Sequence, residues 1–337
     1  MIKTKKRQAV THIKESKKRQ AVTHTKQSKK IGIIVIVLLL LIIVAIFGAV
    51  VRAYYNIESA MNNTYEVAER KMNLINPPVS SRSEGHSERL SESKPFSILL
   101  LGVDTGALGR TEQGRSDTMI VATVNPSTKQ SLLLSLPRDT YTEIVGHNTQ
   151  DKINHAYAFG GAGMSMDTVE KLLDIPIDHY VTINMEGIMS LVDIVDGIEV
   201  NNPFEFSYQK TTFVKGKQQL DGKLALKYAR MRYDDPNGDY GRQARQRQII
   251  TGIAHQMLSM KGVTNYKSIL EVMSKQVKTD LSFQNIQTLV GDYRAAFETI
   301  KSDQMKGEGF MQDGISYQRI DPNELTRVQS ELKTLLK

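Results

Sequence analysis

Cysteine is absent from all 337 residues. The fold therefore has no disulfides, and thiol catalysis and cysteine-ligated metals are excluded. Other catalytic patterns are missing too. No His-Glu-x-x-His occurs, the seven histidines show no metal-ligand spacing, and no Gly-x-Ser-x-Gly elbow is present. Gly216-Lys-Gln-Gln-Leu-Asp-Gly222-Lys has the wrong spacing for a phosphate-binding Walker loop, and no Ser or Thr follows its lysine. A broad basic surface is also lacking, although the net charge is +8. Residues 1–30 carry eleven Lys and Arg against Glu15 alone, which leaves the remainder near −2. Charge thus gives no reason to expect a nucleic-acid partner.

Behind that tail, Ile31 to Val51 is an unbroken apolar run of 21 residues. That length suits one membrane-spanning helix, and no small-residue cleavage site follows it. The cationic tail predicts a cytoplasmic N-terminus and an outer C-terminal domain, a single-pass type II arrangement in the cell membrane. The tail also repeats itself, Lys5–Ser16 recurring as Lys17–Ser28, and it suits anionic lipid headgroups. Residues 52–93 read as an extracellular stalk and linker, helix-like up to Asn76 and then polar after Pro77-Pro78. The folded domain is expected over 94–260, followed by a helical extension over 261–337.

Phe96–Val103, Thr118–Val124 and Ser131–Leu136 read as strands, with further strands at His179–Ile183 and Gly197–Val200. Helices are expected over Ala162–Leu173, Glu186–Val195 and Asp221 to about Tyr228. The mixture predicts an α/β (α+β) layered domain with a central mixed sheet and flanking helices. If the first three strands form a meander, Asp104, Asp117, Arg138 and Asp139 all fall at one end of the sheet.

The chain is richest in chemistry between Tyr228 and Gln248, which holds Arg230, Arg232, Arg242, Arg245 and Arg247. Arginine forks capture phosphate oxygens in pairs, and a helix N-terminus already favours anions. With Asp239 as cap, Arg242, Arg245 and Gln246 share a face that continues into Ile249, Ile253 and Met257. They are read as turned toward an anion, and Gln243 and Arg247 as turned toward solvent. Arg230 and Arg232 share a face if their segment is extended. Asp104 and Asp117 suit a hard divalent cation, Mg2+ or Mn2+, which takes one or two carboxylates and completes its shell with water and phosphate. Lys152 offers another cation, and His155 is taken as structural.

These residues carry a resemblance to the LytR-CpsA-Psr family of bacterial envelope proteins. The matching motifs are Leu100-Leu-Gly-Val-Asp-Thr105, Gly114-Arg-Ser-Asp-Thr-Met-Ile120, Leu136-Pro-Arg-Asp-Thr140, Lys152-Ile-Asn-His-Ala-Tyr157, Arg230-Met-Arg232 and Asp239-Tyr-Gly-Arg-Gln-Ala-Arg-Gln246. The run through Ala156-Tyr-Ala-Phe-Gly-Gly161 looks most like the teichoic acid transferase branch. The resemblance implies transfer of an anionic glycopolymer from a polyprenyl pyrophosphate lipid to a peptidoglycan sugar hydroxyl. It implies metal ligation by Asp104 and Asp117, and pyrophosphate contacts by Arg115, Arg138, Arg230, Arg232, Arg242 and Gln246. Asp139 and Asp239 are the candidate bases. The loop Gly106–Arg110 departs from members with an arginine directly after Asp-Thr. A lipid pyrophosphate hydrolase and a non-catalytic polyprenyl-phosphate-binding envelope regulator are the alternatives.

Overall fold

The structure, a computed structural model, describes residues 52, 55–60, 62–70, 90, 92–104, 114–259 and 266–337. The basic tail, the apolar run Ile31–Val51 and the loop Gly106–Arg110 lie outside the described residues. Among the described residues no helix is long and apolar enough to cross a membrane.

Six strands form the central sheet: β1 (Phe96–Val103), β2 (Ser116–Asn125), β3 (Gln130–Ser135), β6 (His179–Asn184), β11 (Val277–Thr279) and β12 (Ile300–Gln304), in the order β11-β6-β1-β2-β3-β12. β1–β2–β3 is an antiparallel meander, whereas β6 runs parallel to β1 and β12 parallel to β3. The sheet is therefore mixed, as the alternation of elements predicted. Its central strands are buried on both faces, which explains their unbroken apolar sequence. Leu99, Leu101, Met119, Val121, Leu132 and Leu134 face one core. That core is closed by α1 (His155–Leu173) and α7 (Pro322–Leu335). Ile98, Ile120, Ala122, Val124 and Leu133 face the other, closed in part by α6 (Phe283–Asp292). A further core joins α2 (Met185–Ile194), β7 (Ile198–Asn202), α3 (Gly222–Arg230), α4 (Asp239–Met257) and α5 (Tyr266–Gln276).

Small hairpins complete the fold: β4 (Tyr141–Ile144) with β5 (Thr149–Lys152), β8 (Phe206–Tyr208) with β9 (Thr211–Phe213), and β13 (Gly307–Gln312) with β14 (Ile315–Ile320). β10 (Gly216–Leu220) pairs with β7.

Two boundaries differ from those the sequence suggests. Residues 261–337 are only partly helical: besides α5, α6 and α7 they supply the edge strands β11 and β12 and the hairpin β13–β14. Nor does the folded part begin near Lys94. Helix ends at Thr64, and the chain then runs extended along the domain, with Glu66 N donating to Thr279 O at 2.8 Å. Arg70 donates to Asp167 at 2.6 Å and to Glu170 at 2.7 Å, both carboxylates being 1% exposed. Gly163 permits the approach, since a Cβ there would lie 2.0 Å from Glu69 O.

Candidate active site

Strand direction gathers the charges. β1 runs out into Asp104 and β2 begins beside it, where Arg115 N donates to Asp104 Oδ1 at 2.8 Å. A bulge between Gly102 and Val103 resets the register there. Gly102 lies so close to Thr118 that a Cβ would meet the Thr118 Cβ at 2.8 Å. Asp117 accepts from Arg138 Nη1 at 2.6 Å, and Asp139 pairs with Lys152 at 2.8 Å. Arg138 Nε lies 3.8 Å from Asp139. Asp239, the first residue of α4, pairs with Arg242 at 2.8 Å. It is Gly238, at φ 55°, that occupies the cap position expected for Asp239.

Burial and neighbouring charge compete at both buried arginines of this cluster. Burial lowers the Arg242 pKa, and repulsion from Arg138 and Arg232 lowers it further; Asp239 and Asp117 oppose this without reversing it. Arg138 is also disfavoured by burial, but Asp117, Asp139 and Asp239 together raise it above its ordinary value. Nε of Arg138 and Nε of Arg242 are buried and meet no hydrogen-bond acceptor among the described residues. Buried donors left over in this way mark a place for an anion.

Arg232 stands in the turn after α3, its guanidinium 4.7 Å from the Tyr233 ring centre. Arg230 is the exposed last residue of α3, so the pair is not extended and the shared-face argument for it fails. Arg115 is exposed beside Asp104.

Three polar residues of α4 lie where the helical-face reading did not put them. Arg245 is 1% exposed and fully engaged: Nε donates to Tyr228 O at 2.9 Å, and the two terminal nitrogens reach the Asp235 carboxylate and Met231 O. It is a post inside the Arg232–Gly238 loop rather than a substrate donor. Arg247 and Gln243 are buried, not solvated. Arg247 donates to Ser135 Oγ at 2.6 Å, and burial lowers its pKa to about 10. The cause is that α4 packs against α3 and β7 on one side and β3 and β12 on another, so it has no single apolar stripe.

Gln246 does turn toward a site. It lies in the wall of an apolar cavity with Ile249, Ile250 and Ile253 of α4, Leu226 and Ala229 of α3, and Leu100 and Val181 of the sheet. Gly102 and Thr118 also line it, two residues from Asp104 and one from Asp117. The open space amounts to about 860 Å³ including the mouth. Its residues are dispersed over six elements, so no local pattern announces the cavity.

Sequence reading also missed a carboxylate–imidazole pair. Asp151 Oδ2 and His155 Nδ1 are 2.6 Å apart, an i,i+4 spacing that was visible in the sequence. Burial would raise the Asp151 carboxyl, but hydrogen bonds from His155 and the Lys152 amide outweigh it and hold the group below its ordinary value.

The chain belongs to the LytR_cpsA_psr family, whose profile matches residues 51–334. It is 54% identical over 292 residues to the polyisoprenyl-teichoic acid–peptidoglycan teichoic acid transferase TagU of Enterococcus faecalis, covering 87% of this chain and 92% of that one. Among solved structures, TagU of Bacillus subtilis matches with a TM-score of 0.59 at 42% identity, over 72% of this chain and 97% of that one. A structure described as TagT bound to LI-WTA matches with a TM-score of 0.60 at 29% identity, over 73% of this chain and 92% of that one. The family match begins ahead of the docked segment Glu66–Arg70 and runs into α7, in accord with a domain that includes both.

Proposed function

We propose that this protein is a membrane-anchored transferase. It moves an anionic glycopolymer of the wall teichoic acid class from a polyprenyl pyrophosphate carrier to a sugar hydroxyl of peptidoglycan. The apolar run Ile31–Val51 is its anchor, and the outer face of the membrane is its place of work. One observation carries the reading: an apolar cavity runs up to a cluster of arginines in which the buried Nε donors of Arg138 and Arg242 meet no acceptor among the described residues. A polyprenyl chain suits the cavity, and a pyrophosphate suits Arg138, Arg232 and Arg242, with Arg115, Arg230 and Gln246 at its edge. The names of the relatives agree with this.

Phosphoryl transfer asks for positioning and for neutralisation of charge on the transferring and leaving oxygens. The acceptor hydroxyl oxygen bonds to the phosphorus that bears the glycopolymer, and the bond from that phosphorus to the bridging oxygen breaks. Polyprenyl phosphate departs with the bond's electron pair, and the arginines hold the charge it gains. The carboxylates at hand to take the hydroxyl proton are Asp139 and Asp239. Asp104 and Asp117 are hard oxygen donors on adjoining strand ends, and among the described residues no group of three or more potential ligands exists. That set fits magnesium or manganese, which needs few protein carboxylates when phosphate oxygens complete its shell. Such an ion would supply further neutralisation of the pyrophosphate.

The test is transfer of a labelled short glycopolymer from its pyrophosphate lipid to peptidoglycan fragments by the full-length protein. Label appearing on the fragments supports the reading. Release of glycopolymer phosphate at the same rate with and without acceptor would make the protein a hydrolase. Lipid binding without turnover would make it a carrier.

A further inference from the structure

In-line displacement brings the entering oxygen in opposite the leaving one. The cavity lies between the sheet and helices α2, α3 and α4, and its sheet residues Leu100 and Val181 pack into the core of one face, although Leu101 of the opposite face also reaches its wall; the leaving lipid is assigned to that helix-covered side. Lys152 and the β13–β14 hairpin belong to the other side: Ile153 and Ile320 pack into the core that contains Leu99 and Leu101. This hairpin is fastened to the charged cluster. Gln318 N donates to Asp139 O at 2.8 Å, and Tyr240 OH of α4 donates to Gln318 Oε1 at 2.7 Å. Lys152 Nζ, which pairs with Asp139, lies 5.6 Å from the Tyr317 ring centre.

Outward from Tyr317 the hairpin presents a mixed surface. Phe310 faces Tyr317 across the strand pair at 5.6 Å between centroids, and Tyr141 of β4 stands edge-on to both at 5.5 and 5.0 Å. On the same face Ile315 is 46% exposed, Gln312 reaches Tyr141 OH at 3.4 Å, and the Arg319 guanidinium lies 4.4 Å from the Phe310 centre. We propose that this face, built by β13–β14 and Tyr141, is the acceptor site and holds the glycan strand of peptidoglycan. The inference rests on the transferase reading and adds where its second substrate binds. A sugar ring has apolar C–H faces and a rim of hydroxyls. The part-exposed Phe310 and Tyr141 rings and Ile315 match the faces, while Gln312, Tyr141 OH, Arg319 and the Glu308 opposite it match the rim. The face adjoins Asp139 and lies opposite the lipid, where an acceptor hydroxyl must arrive.

The experiment uses the full-length protein, a polyprenyl pyrophosphate-linked glycopolymer and defined peptidoglycan oligosaccharides. Phe310→Ala and Arg319→Ala should each raise the acceptor KM about ten-fold, as loss of a ring or cation contact does, and leave the donor KM unchanged. Direct titration of the oligosaccharide alone should show the same weakening, which keeps the test independent of turnover. Unchanged oligosaccharide binding and acceptor KM in both variants, with melting temperatures kept, would overturn the proposal. A raised donor KM with unaltered acceptor KM would overturn it too, assigning the face to the glycopolymer. Wild-type protein that binds the oligosaccharide through this face yet transfers nothing would refute the transferase reading and leave the glycan site standing.

Discussion

Arg245 and Asp235 form an ion pair in which both side chains are 1% exposed. The pair joins α4 to the loop that carries Arg232. Gly241 makes room for it, because a Cβ at that position would fall inside the Asp235 carboxylate. Breaking such a pair strands a buried charge, at a cost of about 3–5 kcal/mol. Arg245→Ala and Asp235→Asn should therefore lower the melting temperature by many degrees. Arg242→Ala should keep the fold and lower transfer on the order of 10²-fold. Arg242→Lys keeps the charge but loses the fork, so it should recover little. Thermal melts beside rate measurements separate the two arginines, and an Arg245→Ala protein with native stability would refute the assignment.

Metal dependence can be read at two carboxylates. Asp104→Ala and Asp117→Ala should each abolish transfer while leaving the melting temperature within a few degrees, because neither side chain fills a core. The second change also releases Arg138 from its 2.6 Å partner, so lipid binding should persist or tighten. Transfer that survives either substitution in EDTA would rule out a metal held by this pair.

Acid should weaken the corner around Asp151. Its carboxyl is held below the ordinary value near 3.8, chiefly by His155 and the Lys152 amide acting against burial. A depressed carboxyl contributes stability that is complete above that ordinary value and is lost as pH falls through the lower, folded one. Melting curves from pH 6 down to about pH 2 should show the wild type losing its advantage over Asp151→Asn across that window. A constant difference between the two would contradict the shift.

A chain that begins at Lys94 should be less stable than one that begins at Ile57. It lacks Arg70, and Asp167 and Glu170 are then buried without their cation. Denaturant melts of both, together with Arg70→Ala in the longer chain, test this; equal midpoints would mean that the docked segment adds nothing.

What could be read from sequence was whatever strand direction or local period dictates. The meander follows from three apolar runs with turns between them, and it alone brings Asp104, Asp117, Arg138 and Asp139 to one end. Arg245 and Arg247 were misplaced because helical phase names a face but not what packs there, and α4 is covered on more than one side. β12, Ile-Lys-Ser-Asp-Gln, escaped notice because an edge strand half open to water shows no apolar alternation. The cavity and the acceptor face were illegible for a simpler reason. Each is assembled from residues far apart in the chain, and only the folded backbone brings them together.

The position of β12 bears on how the molecule is made. Synthesis runs from the N-terminus, and β3 (Gln130–Ser135) meets its outer neighbour only when Ile300–Gln304 has emerged, some 170 residues later. Until then Leu132, Leu133 and Leu134 stand on an open strand edge, the kind of surface that pairs with other chains. Premature stops or proteolytic nicks ahead of Ile300 should therefore yield aggregates rather than a smaller working domain. The last ninth of the chain, from Ile300 on, acts as the clasp of the sheet's β3 edge.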